Sequence, residues 1–231
     1  MQVKRIICLA NSKKNGGHCL AGKELSGRRP WIRPVGSGPT QELHGIQVID
    51  EQSHRYVRPL QVLDLKLVSH APTANQRENW QIVPGTRPQA LNKEYAWEEI
   101  DEFCDQPSEL WVSGYQSSGG KNNRVPESSL IGRGFDSLYL IRVDSLLLEM
   151  TSVNTTSGYD KSVVDGVFSY AGREYKLRVT DPQAAGFLKR NAIAALDVGP
   201  TFLTISLAPP FGGYFYKLIA AVIPQQAIWK T

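Results

Sequence analysis

Short apolar runs separated by polar segments recur along this chain, and their lengths are those of β-strands. In the run 61–68 the polar residues Asp64 and Lys66 interrupt the apolar ones. This near-alternation is typical of a sheet with one face toward water. The predicted strands fall at 3–10, 19–23, 31–35, 61–68, 138–148, 163–170, 174–179, 202–207 and 214–223. The pattern therefore predicts a mainly β protein with few helices.

Two short helices are expected among these strands. Asn92 is placed to cap a helix over 93–104, whose apolar residues lie on one face. Asp181 followed by Pro182 predicts a second helix that runs to Lys189, because Asp is a preferred N-cap and Pro a preferred first residue. An order of strands, one helix and more strands is compatible with a five-stranded Greek-key barrel, and both halves of the chain have it.

The organisation of the chain follows from this order. We expect a domain at 1–113 and another at 135–231. The segment 114–134 has little apolar periodicity, which is typical of either an interdomain linker or a long binding loop. No sequence repeat relates the two halves.

Positive charge is concentrated near the N-terminus. The first 34 residues carry eight Lys or Arg residues against one acid, Glu24, a net of +7 in a chain whose total is +4. Glycines and Trp31 accompany this charge, and such a combination suits a polyanion or a phosphate. The hydrophobic and charged fractions, 41% and 21%, are those of a globular protein and argue against wholesale disorder.

No apolar run approaches the length of a membrane span, and the first apolar run is too short for a secretory signal. The three cysteines are odd in number and widely spaced. This favours a reducing, cytoplasmic location over a disulfide framework.

Catalysis is the less favoured interpretation. Cys8 or Cys19 offers a thiol and His18 a base, but His18 and Cys19 are neighbours on a predicted strand and point to opposite faces. Apolar surroundings also raise a thiol pKa. No metal-ligand spacing, phosphate-binding loop or dinucleotide fingerprint is present, so neither an enzyme nor a cofactor is predicted.

Nucleic-acid binding is the favoured interpretation, since cations follow phosphates and aromatic rings stack on bases. Trp31 is either a stacking platform or a core residue, and Asn11 and Ser12 either bind phosphate or close a turn. Arg33 lies among apolar residues and needs a partner or a ligand. The candidate contacts are Asn11, Ser12, Lys13, Lys14, Gly16, Gly17, Arg28, Arg29, Trp31, Arg33, Lys121, Asn122, Asn123 and Arg124.

The aromatic segment 211–216 leaves a third possibility open. It is either barrel core with a turn, or an exposed patch for a protein or a base.

Short motifs lie at 8–14, 17–19, 21–24, 31–34, 122–125, 176–182 and 206–218, spread over nearly the whole chain. In these motifs the chain resembles the bacterial dual OB-containing domain family. The resemblance implies two tandem OB-like five-stranded barrels and binding of single-stranded or structured DNA or RNA, or of a nucleotide, within an anti-phage defence system. It implies no catalytic activity. His18 stands where the family pattern has a basic residue, so the charge of this loop depends on pH. The alternative function is a non-catalytic protein-interaction subunit of a larger complex.

Overall fold

The structure is a computed structural model that describes residues 1–14, 16–130, 132, 134–154 and 160–229. The chain forms two compact units. The first comprises Met1–Phe103 and Asp136–Leu138, and the second comprises Cys104–Phe135 and the residues from Tyr139 onward.

The first unit is built on a closed barrel. Its strands are β1 (Gln2–Lys14), β2 (Gly17–Glu24), β3 (Trp31–Val35), β4 (Gln61–His70), β5 (Asn79–Ile82) and β6 (Gln89–Glu94). The order β1-β2-β3-β5-β4 returns to β1, because β1 pairs with both β2 and β4, and β6 is added outside this ring on β4. Five strands in such a closed path form an OB-like barrel, as expected.

The alternation predicted for β4 is confirmed. Leu63, Leu65 and Leu67 are fully buried and belong to the barrel core. Asp64 lies on the other face and accepts two hydrogen bonds of 2.8 Å from the Arg5 guanidinium on β1.

The second unit contains a larger sheet and one α-helix. Its elements are β7 (Arg124–Pro126), β8 (Leu138–Val143), β9 (Leu146–Asn154), β10 (Asp160–Tyr170), β11 (Arg173–Val179), α1 (Pro182–Arg190), β12 (Ala195–Asp197), β13 (Thr201–Leu207) and β14 (Tyr214–Pro224). The strand order is β12-β9-β10-β11-β14-β13-β8, and β7 pairs with β14. The first residue of β8, Leu138, is grouped with the first unit.

The second sheet follows the same path as the first barrel. In the first unit the beginning of β1 pairs with β4 and its end pairs with β2. In the second unit two consecutive strands, β8 and β9, take the place of β1. β8 lies beside β13, as the beginning of β1 lies beside β4, and β9 lies beside β10, as the end of β1 lies beside β2. The pair β11 and β14 is parallel, as β3 and β5 are. The second unit is therefore OB-like in its strand order, although its sheet does not form one continuous closed ladder.

The helix predicted over 93–104 is wrong in type and extent. Asn92 belongs to β6, whose last residue Glu94 pairs with Gln61 of β4. A 3-10 helix follows at Trp97–Phe103. Backbone groups at the start of the predicted helix pair with β4 instead of forming helical hydrogen bonds. Tertiary structure therefore overrides the local capping signal.

The helix predicted after Asp181 is confirmed as α1. The Asp181 carboxylate accepts from the backbone N–H groups of Gln183 and Ala184, and Pro182 occupies the first helical position. The local signal is sufficient here because all of these partners lie within one turn.

Candidate functional site

The hairpin of β1 and β2 ends in a tight turn at one end of the first barrel. Lys13 pairs with His18 and Lys14 with Gly17, and Gly16 adopts a positive φ of 87°. Gly17 packs against the next segment so closely that a Cβ atom would lie 2.6 Å from Cγ of Glu42. This end of the hairpin therefore has a defined position. The side chain of Lys14 lies outside the described part of the structure.

A chain of hydrogen bonds fixes the imidazole of His18. Asn11 Nδ2 donates to the carbonyl oxygen of Val57 at 2.9 Å, which leaves Asn11 Oδ1 as an acceptor. His18 Nδ1 lies 2.8 Å from that oxygen, and His18 Nε2 lies 2.8 Å from Nζ of Lys13. These partners assign the neutral tautomer, in which Nδ1–H donates to Asn11 and Nε2 accepts from the Lys13 ammonium.

The electrostatic surroundings favour the same protonation state. Burial lowers the pKa of His18 below its ordinary value, and the charges of Lys13 and His44 lower it further. A proton on Nε2 would face the Lys13 ammonium. At neutral pH the cation at this position is therefore Lys13, and the neutral imidazole of His18 accepts its hydrogen bond.

Tyr56 presents an aromatic ring at the same place. It is 57% exposed and stacks on His18, with ring centroids 5.2 Å apart and planes inclined by 19°. Arg55 and Arg58, which flank it, are exposed. We call the set Lys13, His18, Arg55, Tyr56 and Arg58 the Tyr56 rim. The sequence prediction missed its second half, although 54–58 interleaves basic residues with an aromatic one, which is a signal for nucleic-acid binding.

Asn11 and Ser12 lie beneath this surface. Asn11 is 8% exposed and Ser12 is 6% exposed. Asn11 positions His18, as described above, and both residues lie in β1 rather than in the turn. Their side chains are thus enclosed in the first unit.

Trp31 and Arg33 lie elsewhere on the first barrel. Trp31 pairs with Lys23, at the opposite end of β2 from the turn, which places it about 20 Å from that turn along the strand. Trp31 is half-buried, and the Lys23 ammonium lies 5.3 Å from its ring centroid. Lys23 is itself buried and donates to the carbonyl oxygen of Phe103 at 2.7 Å.

Arg33 has partners inside the first unit. Its side chain is 7% exposed, and Nη2 lies 3.0 Å from Oε1 of Glu78 and 3.0 Å from Oγ of Ser137. Ser137 Oγ in turn donates to the same carboxylate. Arg33 therefore meets the requirement for a partner without a ligand.

Arg28 and Arg29 of the basic N-terminal segment differ in exposure. Arg28 is exposed. Arg29 adopts a positive φ of 54°, donates to both the carboxylate and the carbonyl oxygen of Glu102, and lies 4.6 Å from the ring centroid of Phe103. Arg28 thus remains available for an anion, whereas Arg29 is engaged by an acid of its own unit.

The residues 121–124 belong to the second unit and shape a loop. Lys121 pairs with Glu174 at 2.9 Å. Asn122 accepts from the Gly114 N–H and donates to the Glu174 carbonyl oxygen, and Asn123 bonds Ser117 through both of its side-chain atoms. Arg124 begins β7, and its guanidinium lies 4.4 Å from the ring centroid of Tyr214.

Cys8 and Cys19 lie on β1 and β2 of the first barrel. Cys8 is fully buried, and burial raises the pKa of its thiol to about 12. His18 pairs across the hairpin with Lys13 and Cys19 with Ser12, which places the two side chains on opposite faces of β2. Among the residues that the structure describes, no three His, Cys, Asp or Glu side chains are grouped as metal ligands.

Comparison with known proteins agrees with this architecture. The family model for the dual OB-containing domain matches residues 4–222. No curated protein matches the chain. Within the described residues, none of the helices has the length and apolar character needed to cross a membrane.

Proposed function

Because the chain belongs to the dual OB-containing domain family, we propose that it binds single-stranded nucleic acid through the Tyr56 rim. OB folds are binding modules, and the loop between their first two strands is one of the places where they hold oligonucleotides. Lys13 and His18 of the Tyr56 rim flank that loop. The turn at Gly16, with the adjoining Gly17 and Lys14, extends the proposed contact surface. Arg28 lies beyond the opposite end of β2 and is not part of this surface.

The observation that carries the proposal is the supported ring of Tyr56. Its outer face is open to solvent, while its inner face stacks on an imidazole that Asn11 and Lys13 hold in place. A ring fixed in this way offers a base a stacking surface at little cost in side-chain entropy. Lys13, Arg55 and Arg58 supply positive charge for the neighbouring phosphates.

The first test is the salt dependence of binding. A fluorescent oligothymidylate of about 15 nucleotides covers an OB site, and its anisotropy reports binding. We expect the logarithm of the affinity to fall linearly with the logarithm of salt, by about 0.7 per phosphate contact. A flat dependence at measurable affinity, or no binding at low salt, contradicts the proposal and favours a protein-interaction role.

The second test locates the contact on the Tyr56 rim. Tyr56→Ala removes the ring and is expected to cost about 1–3 kcal/mol of binding free energy, whereas Tyr56→Phe keeps the ring and the affinity. Lys13→Ala should reduce the salt slope by about 0.7. Lys189→Ala, a charge loss at an exposed position of α1, is the matched control and should change neither quantity. Full affinity in Tyr56→Ala would place the contact elsewhere.

A further inference from the structure

The hairpin between β13 and β14 presents an aromatic side chain at its tip. Phe211 and Tyr214 exchange two backbone hydrogen bonds, of 2.8 and 3.2 Å, around Gly212 and Gly213. Both glycines have positive φ, 58° and 79°, as a tight two-residue turn requires. The Glu127 N–H also donates to the Gly213 carbonyl oxygen at 2.9 Å. The turn is therefore held in place, and Phe211 is 77% exposed on it.

Strand pairing places further aromatic residues on the same face as Phe211. Phe211 lies opposite Tyr214 in the hairpin, and residues that face each other across an antiparallel pair share a face. Tyr216 follows on that face by the alternation of β14, while Phe215 between them is buried in the core of the second unit. Tyr115, 42% exposed, adds a ring whose centroid is 6.5 Å from that of Tyr214.

Arg124 places a cation on this face. It pairs with Tyr216, and its guanidinium lies over the Tyr214 ring. Its Nε is buried and has no hydrogen-bond partner within the described residues. An unpaired buried donor is costly and calls for an acceptor, and a charged guanidinium prefers an anionic one. The preceding residues differ, since Lys121 pairs with Glu174 of β11. Asn122 and Asn123 bond Gly114 and Ser117 in their own loop.

We propose that this Phe211 face, formed by Phe211, Tyr214, Tyr216, Tyr115 and Arg124, is a second nucleic-acid site, which binds one phosphate at Arg124 and stacks the adjoining bases on its rings. The combination of a guanidinium with exposed aromatic rings indicates a nucleic acid as the ligand. A planar guanidinium recognises phosphate by two hydrogen bonds, and exposed rings beside it accept bases of any identity. The inference rests on the proposed function for its ligand, but it concerns a different unit and different residues.

Photo-crosslinking of the full chain separates the two sites. An oligonucleotide that carries 5-iodouracil is bound, irradiated and mapped by mass spectrometry of the crosslinked peptides. We expect crosslinks at Phe211 or Tyr214 in the unsubstituted protein, and we expect them to persist in Tyr56→Ala. Crosslinks confined to the Tyr56 rim overturn this inference and leave the proposed function in place. Crosslinks confined to the Phe211 face support it and contradict the assignment of the contact to Tyr56. No binding of any oligonucleotide overturns both.

Affinity measurements with conservative variants test the chemistry. Phe211→Leu keeps an apolar side chain but removes the ring, and we expect a loss of about 5- to 150-fold in affinity for the oligonucleotide, against little change for Phe211→Tyr. Arg124→Lys keeps the charge but not the planar group and should also weaken binding. Phe211 lies at an exposed turn, so its replacement leaves the core intact. Unchanged affinity in both Phe211→Leu and Arg124→Lys overturns the site, as does a Phe211 face that captures an apolar peptide instead of the oligonucleotide.

Discussion

Arg28 and Arg33 belong to the same basic segment and have opposite surroundings. Arg28 is exposed, whereas Arg33 is enclosed with Glu78 and Ser137. Both side chains of the Arg33–Glu78 pair are less than a tenth exposed, so the loss of either partner leaves a buried, uncompensated charge. The role of each arginine is therefore set by its neighbours rather than by its charge.

Replacement of Arg33 tests this distinction. Arg33→Ala is expected to lower the free energy of unfolding by about 3–5 kcal/mol, because Glu78 loses its partner. Arg28→Ala, the matched control, should change it by no more than about 0.5 kcal/mol. Urea denaturation at neutral pH measures both. A stable Arg33→Ala protein that binds oligonucleotides more weakly would instead make Arg33 a ligand contact.

Among the elements, α1 depends most clearly on a single cap. Asp181 is 4% exposed, and its carboxylate also accepts from the Val222 N–H of β14 at 2.9 Å. It thereby joins the start of the helix to the sheet. Burial raises the pKa of Asp181 to about 6, while the backbone N–H groups that it accepts from act in the opposite direction.

Removal of this cap is expected to weaken the second unit. Asp181→Ala leaves three backbone N–H groups without an acceptor and should reduce the free energy of unfolding by about 1–3 kcal/mol. Asp181→Asn keeps one acceptor oxygen, so its free energy of unfolding should lie between those of the wild-type protein and Asp181→Ala. Urea denaturation at a pH above 7, where the carboxylate is charged, measures the difference. Wild-type stability in Asp181→Ala would mean that water replaces the cap.

For the whole molecule, stability depends on pH through buried groups. Lys217 is 1% exposed, donates to the Val112 carbonyl oxygen at 2.9 Å and lies 5.2 Å from the Tyr175 ring centroid. Burial lowers the pKa of Lys217 to about 7; Glu109 raises it and Arg173 lowers it. Between pH 7 and its ordinary pKa of 10.5, the unfolded chain therefore binds more protons at this residue than the folded chain does.

The sign of this linkage gives a prediction. Stability should rise as pH increases from 7 to about 8, a range below the ordinary pKa values of the cysteine and tyrosine side chains that also titrate in alkali. Lys217→Met removes the titrating group and should flatten the rise, whatever its effect on stability at neutral pH. Urea denaturation across this range compares the two slopes. Equal slopes would show that Lys217 keeps its ordinary pKa in the folded protein.

The positions of most long strands, the cap of α1 and the basic N-terminal segment are readable from the amino-acid sequence alone, although the strand predicted at 138–148 is divided into β8 and β9. They depend on local alternation, on Asp181 and Pro182, and on composition, and the relevant partners lie within a few residues. The family motifs likewise indicated two OB-like units, and the strand paths agree.

Tertiary structure decided which basic residues remain available to a ligand. Arg33 donates a hydrogen bond to Ser137, 104 residues further along the chain, and Tyr56 stacks on His18 at the end of the barrel. The segment after Asn92 pairs with β4 instead of forming the predicted helix. Burial, ion pairing and stacking arise between residues that are distant in sequence, so no local pattern contains them. The charge of the opening segment is therefore evident from the sequence, whereas the stacking of Tyr56 on His18 arises only in the folded chain.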